Sequence, residues 1–231
     1  MIMDMRVSGK GKIPPGEYNK ITLRGSGTLL GKVHCASLSA SGSTKGEEIE
    51  CSERFKASGR VRFSGNIISP HIRVAGSLSC NGDLIAKDTL SCRGSVKCSK
   101  GIKCTHLSHS GTLRVGGDIE AKSVRINGGL RCEGPLNAES TQLQADKTMH
   151  VESIGGSCIH IKRKRFSVIP KRRVIVSTAI EGDELTLEYV TCPRVTGRNV
   201  SIGKGCVIDL VQYSDSLDIS PKAKCGKTEK I

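Results

Sequence analysis

The sequence predicts an all-β chain wound as a parallel β-helix, a solenoid of about 17 residues per coil. Three observations carry this. An aliphatic column, Ile21, Leu38, Phe55, Ile72, Leu90, Leu107 and Val124, recurs every 17 or 18 residues. A glycine column, Gly25, Gly42, Gly59, Gly76, Gly94, Gly111 and Gly128, keeps the same spacing. Within each coil, apolar and polar residues alternate with period two, which fits strand and opposes helix. Ile72–Lys87 displays the unit. Ile72 and Val74, Leu78 and Cys80, then Leu84 and Ala86 face one way, with Gly76 and Gly82 between the three pieces. A single coil cannot bury its apolar side. Stacked coils share one interior and satisfy each other's backbone groups through parallel ladders.

Residues 1–20 read as a lead-in. Met1, Ile2, Met3 and Met5 are apolar, but Asp4 interrupts them, and the run is too short for a signal peptide. A cytoplasmic protein is the expectation, with membrane contact only weakly supported. Residues 21–145 form the regular β-helix. Two more columns keep its register: Val61, Leu78, Val96, Leu113 and Leu130; and Ile67, Leu84, Ile102, Ile119 and Leu136, with Val33 and Ile49 upstream slightly out of step. After about residue 140 the frame slips. It resumes with Val151, Val168, Leu185, Ile202 and Ile219, again 17 apart. Residues 146–231 are therefore read as a C-terminal β region of further coils with a basic tail. A small docked β domain is the alternative.

Composition fits a solenoid core of small and branched aliphatics, since the 231 residues include three Phe, three Tyr and no Trp. The eleven cysteines are odd in number and no export signal precedes them, so free thiols are expected. Cys80, Cys98 and Cys132 share one inward column; Cys35, Cys51 and Cys104 share another; Cys92 aligns with small aliphatics. Buried space-filling is the reading for all of them. The cluster Cys104-Thr-His106-Leu-Ser-His109 has metal-binding residue types. Alternation, however, sends His106 away from Cys104 and turns His109 inward. Glu181, Asp183, Glu184, Glu188 and Asp209 find no histidine or second acid on a matching column. No P-loop, GxSxG or dinucleotide fingerprint is present. The expectation is no enzyme activity, no catalytic or metal-binding residue, and no cofactor.

Charge is more informative, at a net +14. One outward column reads Arg62, Ser79, Lys97, Arg114, Arg131, and a second basic cluster combines Lys162, Arg163, Lys164 and Arg165 with Lys171, Arg172 and Arg173. Stacked cations repel one another and attract anions. An acidic protein face or lipid headgroups fit such a patch. Nucleic acid fits least, because aromatic stacking platforms are nearly absent. The two ends of a solenoid are open ladders ready to pair with another chain. Ile21, Leu23 and Val33 at one end, and Leu217 and Ile219 at the other, are the candidate assembly residues.

The ordered motifs Val7-Ser-Gly9-x-Gly11-x-Ile13-x-x-Gly16-Glu-Tyr18, Ile21-x-Leu23-x-Gly25-x-Gly27 and Gly31-x-Val33-x-Cys35 resemble the bactofilin family of polymer-forming bacterial cytoskeletal proteins. The later Ile180-Glu-Gly-Asp-Glu-Leu185 and Val200-x-Ile202-Gly-x-Gly-Cys206-x-Ile208 resemble the tail of its longer, two-part members in Gram-positive bacteria. The resemblance implies a right-handed β-helix that polymerises end to end without nucleotide. It implies a homopolymer, or a copolymer with a paralogous bactofilin, that scaffolds envelope, cell-shape or motility proteins. It implies no enzymatic activity. The chain departs from the family at its N-terminus, where Met1–Met5 is a poor match to the short apolar membrane-targeting segment. Two other classes compete. Ile202-Gly-Lys-Gly-Cys-Val-Ile208 resembles one hexapeptide unit of a left-handed β-helix acyltransferase, but hexads require 18-residue coils with even sides. A polysaccharide-binding or cleaving β-helix would line a groove with acids and aromatics, and no such lining is visible.

Overall fold

A computed structural model describes residues 3–163 and 173–231. Among these residues there is no helix, and the chain winds as a parallel β-solenoid of about 17 residues per turn. Two units divide it, Met1–Gly116 and Gly117–Ile231.

The first unit holds β1 (Met3–Ile13), β2 (Gly16–Leu29), β3 (Lys32–Gly46), β4 (Glu48–Phe63), β5 (Ile67–Cys80), β6 (Leu84–Cys98) and β7 (Ile102–Val115). Each pairs parallel with the next. The sequence columns are the ladder register. Ile21 pairs Leu38, then Phe55, Ile72, Leu90 and Leu107 follow in turn, and all are buried. Val33, Ile49 and Ile67 are likewise in register. The upstream members therefore belong to the same stack as Leu84 and Ile102.

Each of these strands bends at the glycine column, where φ lies between 106° and 127° from Gly25 to Gly111. Gly59 shows why only glycine serves. A Cβ there would fall on the carbonyl oxygen of Gly42 one coil below, in a backbone region closed to other residues. The register slips near one place in successive coils, between Cys35 and Ser37, Ser69 and His71, and Ala86 and Thr89. There local spacings of 16, 17 and 18 residues are reconciled. Polar turn residues tie the coils together: the Asn66 Oδ1 accepts from the Asp83 amide at 2.8 Å, and Asp83 Oδ1 from the Gly101 amide at 3.1 Å.

The second unit holds β8 (Ile119–Cys132), β9 (Leu136–Ala145), β10 (Met149–Val151), β11 (Ile154–Arg163), β12 (Val174–Val176), β13 (Ala179–Leu187), β14 (Val190–Ile202), β15 (Val207–Ile219) and β16 (Lys224–Lys230). One parallel ladder runs β8–β9–β11–β13–β14–β15–β16 and a second runs β8–β10–β12–β14. The coil lengths differ from the 17-residue frame read from the sequence. Ile202 does pair Ile219, but Leu185 pairs Val200, and Ile202 pairs Leu187. Val151 stacks on Cys132 and Val176, and Val168 lies outside the described residues. The reason is compensation. The coil after β11 is long, the coil from β13 to β14 is short, and equal spacing across them is a coincidence of the sum. Tyr189, at φ 55°, turns the chain into β14, and the Arg163 guanidinium lies 4.1 Å over its ring.

Candidate functional site: strand edges and a cationic face

Open backbone edges are the first feature. In the first unit β1 pairs only with β2 among the described residues. Its inward side chains Met5 and Val7 are half-buried, and Met3 is 64% exposed. This moves the candidate edge. Ile21, Leu23 and Val33 are not on it, because β1 covers β2 (Met5 pairs Ile21, Val7 pairs Leu23), and Val33 lies between β2 and β4. All three are core residues, Leu23 at 1% exposure. The lead-in motif contains a full strand, so the sequence reading placed the edge one coil too deep.

In the second unit β16 covers β15 only over Val207–Tyr213. Leu217 and Ile219 pair with Val200 and Ile202 on one side, have no strand on the other among the described residues, and are half-buried. These two candidates do sit at an edge. β16 itself carries Lys224, Lys227 and Lys230, and such lysines guard an edge against pairing. Ser216–Ile219 is thus the less guarded part.

The second feature is electrostatic. In the first unit Arg62, Ser79, Lys97 and Arg114 stack in one register column, as the sequence predicts. The ladder extends this column upstream through Lys45 and Thr28 to Lys12. The neighbouring outward columns on either side of the glycine corner contain Arg6, Lys56 and Arg73; Arg24 and Arg93; and Lys10 and Arg60. All other members of these four columns are Ser or Thr, apart from Ala75, and none is acidic. The acids of this unit lie elsewhere. Several are paired across coils: Lys32 with Glu48 at 3.3 Å, His34 with Glu50 at 3.5 Å and His71 with Asp88 at 3.2 Å. The result is a hydroxyl-rich cationic face without an internal counter-charge.

A depression of about 490 Å³ opens on that face, lined by Lys10, Lys12, Lys45, Ser26, Thr28 and Ser43 over Gly11 and Gly27. Gly11 and Gly27 stack below Thr44 and Val61, so the core column that holds aliphatics in later coils is empty of them here. Sequence reading found one basic column and missed the rest. The signal was the absence of acid from alternate positions around every corner glycine.

The other basic candidates belong to the second unit. Arg131, in the second unit, donates from Nε to Glu133 Oε1 at 2.6 Å. Lys162 is exposed, Arg163 stacks on Tyr189, and Arg173 donates to Thr191 Oγ1 at 3.2 Å. Lys164, Arg165, Lys171 and Arg172 lie outside the described residues.

Among the described residues no group of three or more His, Cys, Asp or Glu is placed to hold an ion. Cys104 and His109 are buried while His106 is exposed, as alternation predicts. Neither His109 ring nitrogen has a hydrogen-bond partner among the described residues. Burial pushes its pKa down to about 4, against a smaller upward pull from the Thr112 backbone. Of the cysteines, all but Cys158 and Cys225 are buried, and none forms a disulfide. Burial pushes the Cys92, Cys104 and Cys132 thiols up to about 12, so they are inert packing groups.

No family model matches the sequence, and no solved structure matches it. Over 99 residues the chain is 30% identical to a protein of Bacillus subtilis (strain 168) named uncharacterized protein YhbF; the match covers 42% of this chain and 42% of that protein. The chain thus spans less than half the length of the curated relative it matches.

Proposed function

We propose that the chain is a non-enzymatic scaffold of the bactofilin type, which assembles end to end into filaments without nucleotide. The observation that carries this is the unpaired parallel edge of β1, set against the partly uncovered edge at Ser216–Ile219. A parallel ladder in one copy has the donors and acceptors to continue into the next, and a head-to-tail contact of this kind propagates instead of closing. The motif order shared with bactofilins supports the same reading. The cationic face supplies a side that stays accessible in such a filament, and it fits an anionic envelope or motility partner, protein or lipid. The scaffold is read as cytoplasmic, with any membrane association made through its partners. Among the described residues no helix is long and apolar enough to cross a membrane.

Pelleting of the purified chain across concentration tests the assembly. Sedimentable polymer that appears above a threshold concentration and is indifferent to nucleotide supports it; a constant monomer mass removes it. Charge reversal of Lys97 and Arg114 together tests the face. The variant should still pellet but lose salt-sensitive retention of its anionic partner. Unchanged retention would assign those cations to solubility alone.

A further inference from the structure

Most buried thiols of this chain are occupied. Cys80 donates to the carbonyls of Gly65 and Asp83, Cys98 to those of Gly82 and Gly101, Cys132 to Gly117, Cys192 to Arg194 and Cys206 to Leu187. Cys35 and Cys51 differ. They face each other across the β3–β4 ladder as a register pair, with Sγ to Sγ 3.4 Å. They also line a surface depression of about 340 Å³, together with Tyr18, His34, Glu50 and Lys87. The register slips immediately after Cys35, which opens the strand beside the sulfurs. Neighbouring parallel strands lie about 4.8 Å apart, inside the Cα separation of about 4.4–6.8 Å that a disulfide tolerates.

We propose that Cys35 and Cys51 form a reactive dithiol, a modification site that exchanges with low-molecular-weight disulfides and closes into a covalent staple between β3 and β4. The Cys35 thiolate attacks one sulfur of the small disulfide, forms a mixed disulfide and releases one small thiolate. That thiolate takes the Cys51 proton. The Cys51 sulfur then attacks the Cys35 sulfur, forms the intramolecular bond and expels the second small thiolate, which takes up the proton lost at Cys35. Two protein thiols are oxidised and one small disulfide is reduced to two thiols. The chemistry suits the site. The S–H donated by Cys51 stabilises a neighbouring thiolate and holds Cys35 below the ordinary thiol range, while the second proton, on Cys51, is held more tightly. Cys35 and Cys51 are 5% and 2% exposed, so the small disulfide reaches the sulfurs through the slip in the ladder that borders the depression. Cys80 and Cys98 are also in register, and Cys80 holds Cys98 below the ordinary thiol range in the same way, but both of these sulfurs also donate to carbonyl oxygens, which Cys35 and Cys51 do not among the described residues.

The test uses the full chain with Cys158→Ser and Cys225→Ser, which removes the two less buried thiols. The folded protein is incubated with oxidised glutathione, quenched in acid, alkylated and mapped by mass spectrometry. The expected product links Cys35 to Cys51, has lost two hydrogens and carries no glutathione. It should form at least ~10-fold faster than any modification of Cys80 or Cys98. Adding Cys51→Ser should trap one glutathione on Cys35. If that variant does not fold, the linked peptide in the parent decides alone. Cys35 and Cys51 that stay reduced in the folded chain, or that react no faster than Cys80 and Cys98, would overturn the proposal.

Discussion

His109 is the residue whose chemistry departs furthest from its surroundings. It stands on Cys92 in an inward column, 2% exposed, with both nitrogens unpartnered among the described residues. It is tolerated as a neutral ring. Below about pH 6.5 the unfolded chain takes up a proton that the folded chain refuses until about pH 4. Stability should therefore fall as pH drops through that window and level off beneath it, by up to about 3 kcal/mol. His109→Leu should match or exceed the parent at pH 7, because it removes unsatisfied buried nitrogens, and should lose less on acidification. Chemical denaturation at pH 7 and 4.5 measures both; equal acid sensitivity in the two proteins would contradict the assignment. At the corner, Gly59→Ala should cost about 3 kcal/mol or more, since a Cβ meets the Gly42 carbonyl and the backbone is closed to alanine. A melting temperature within a degree or two of the parent would mean the corner can shift.

At the scale of the strand, the ladder decides which substitutions speak to folding and which to assembly. Leu23 lies in the core beneath β1, so Leu23→Glu buries a charge and should unfold the first coils. Val7 has a ladder neighbour on one side only and is half-buried. Val7→Glu should leave the circular dichroism and melting of the protein close to the parent and abolish pelleting. A Val7→Glu protein that pellets normally would exclude β1 as the assembly edge. The same ladder explains what the sequence made visible. In β2–β7 every coil puts a large apolar residue in the Ile21–Leu107 column and a glycine at the same corner, so spacing alone yields register. The opening strand was harder to see, because Met5, Val7 and Gly11 are a thin version of the pattern. The second unit hid its register because the coil after β11 is lengthened and the next is shortened. A column of equal spacing then joins residues that do not stack. The cationic face was partly legible. Arg62, Lys97 and Arg114 form a visible column, whereas Lys10, Lys12 and Lys45 gather only once β1 is placed.

For the whole molecule, charge gives assembly and partner binding opposite signatures. The strands that form or flank the candidate edges are basic, with Arg6, Lys10 and Lys12 on β1 and Lys224, Lys227 and Lys230 on β16 beside Ser216–Ile219. Like charges meeting at a joint repel, and salt screens them over about 8–10 Å at physiological strength. Raising ionic strength should therefore promote polymer while it weakens any contact of the cationic face with an anion. Light scattering over a salt series reads the first, and a decrease with salt would place the joint at oppositely charged surfaces. The most direct measurement is negative-stain electron microscopy of the purified full chain, without nucleotide, over a range of protein and salt concentrations. Filaments that lengthen with both are the predicted result; dispersed single particles under every condition would contradict end-to-end assembly.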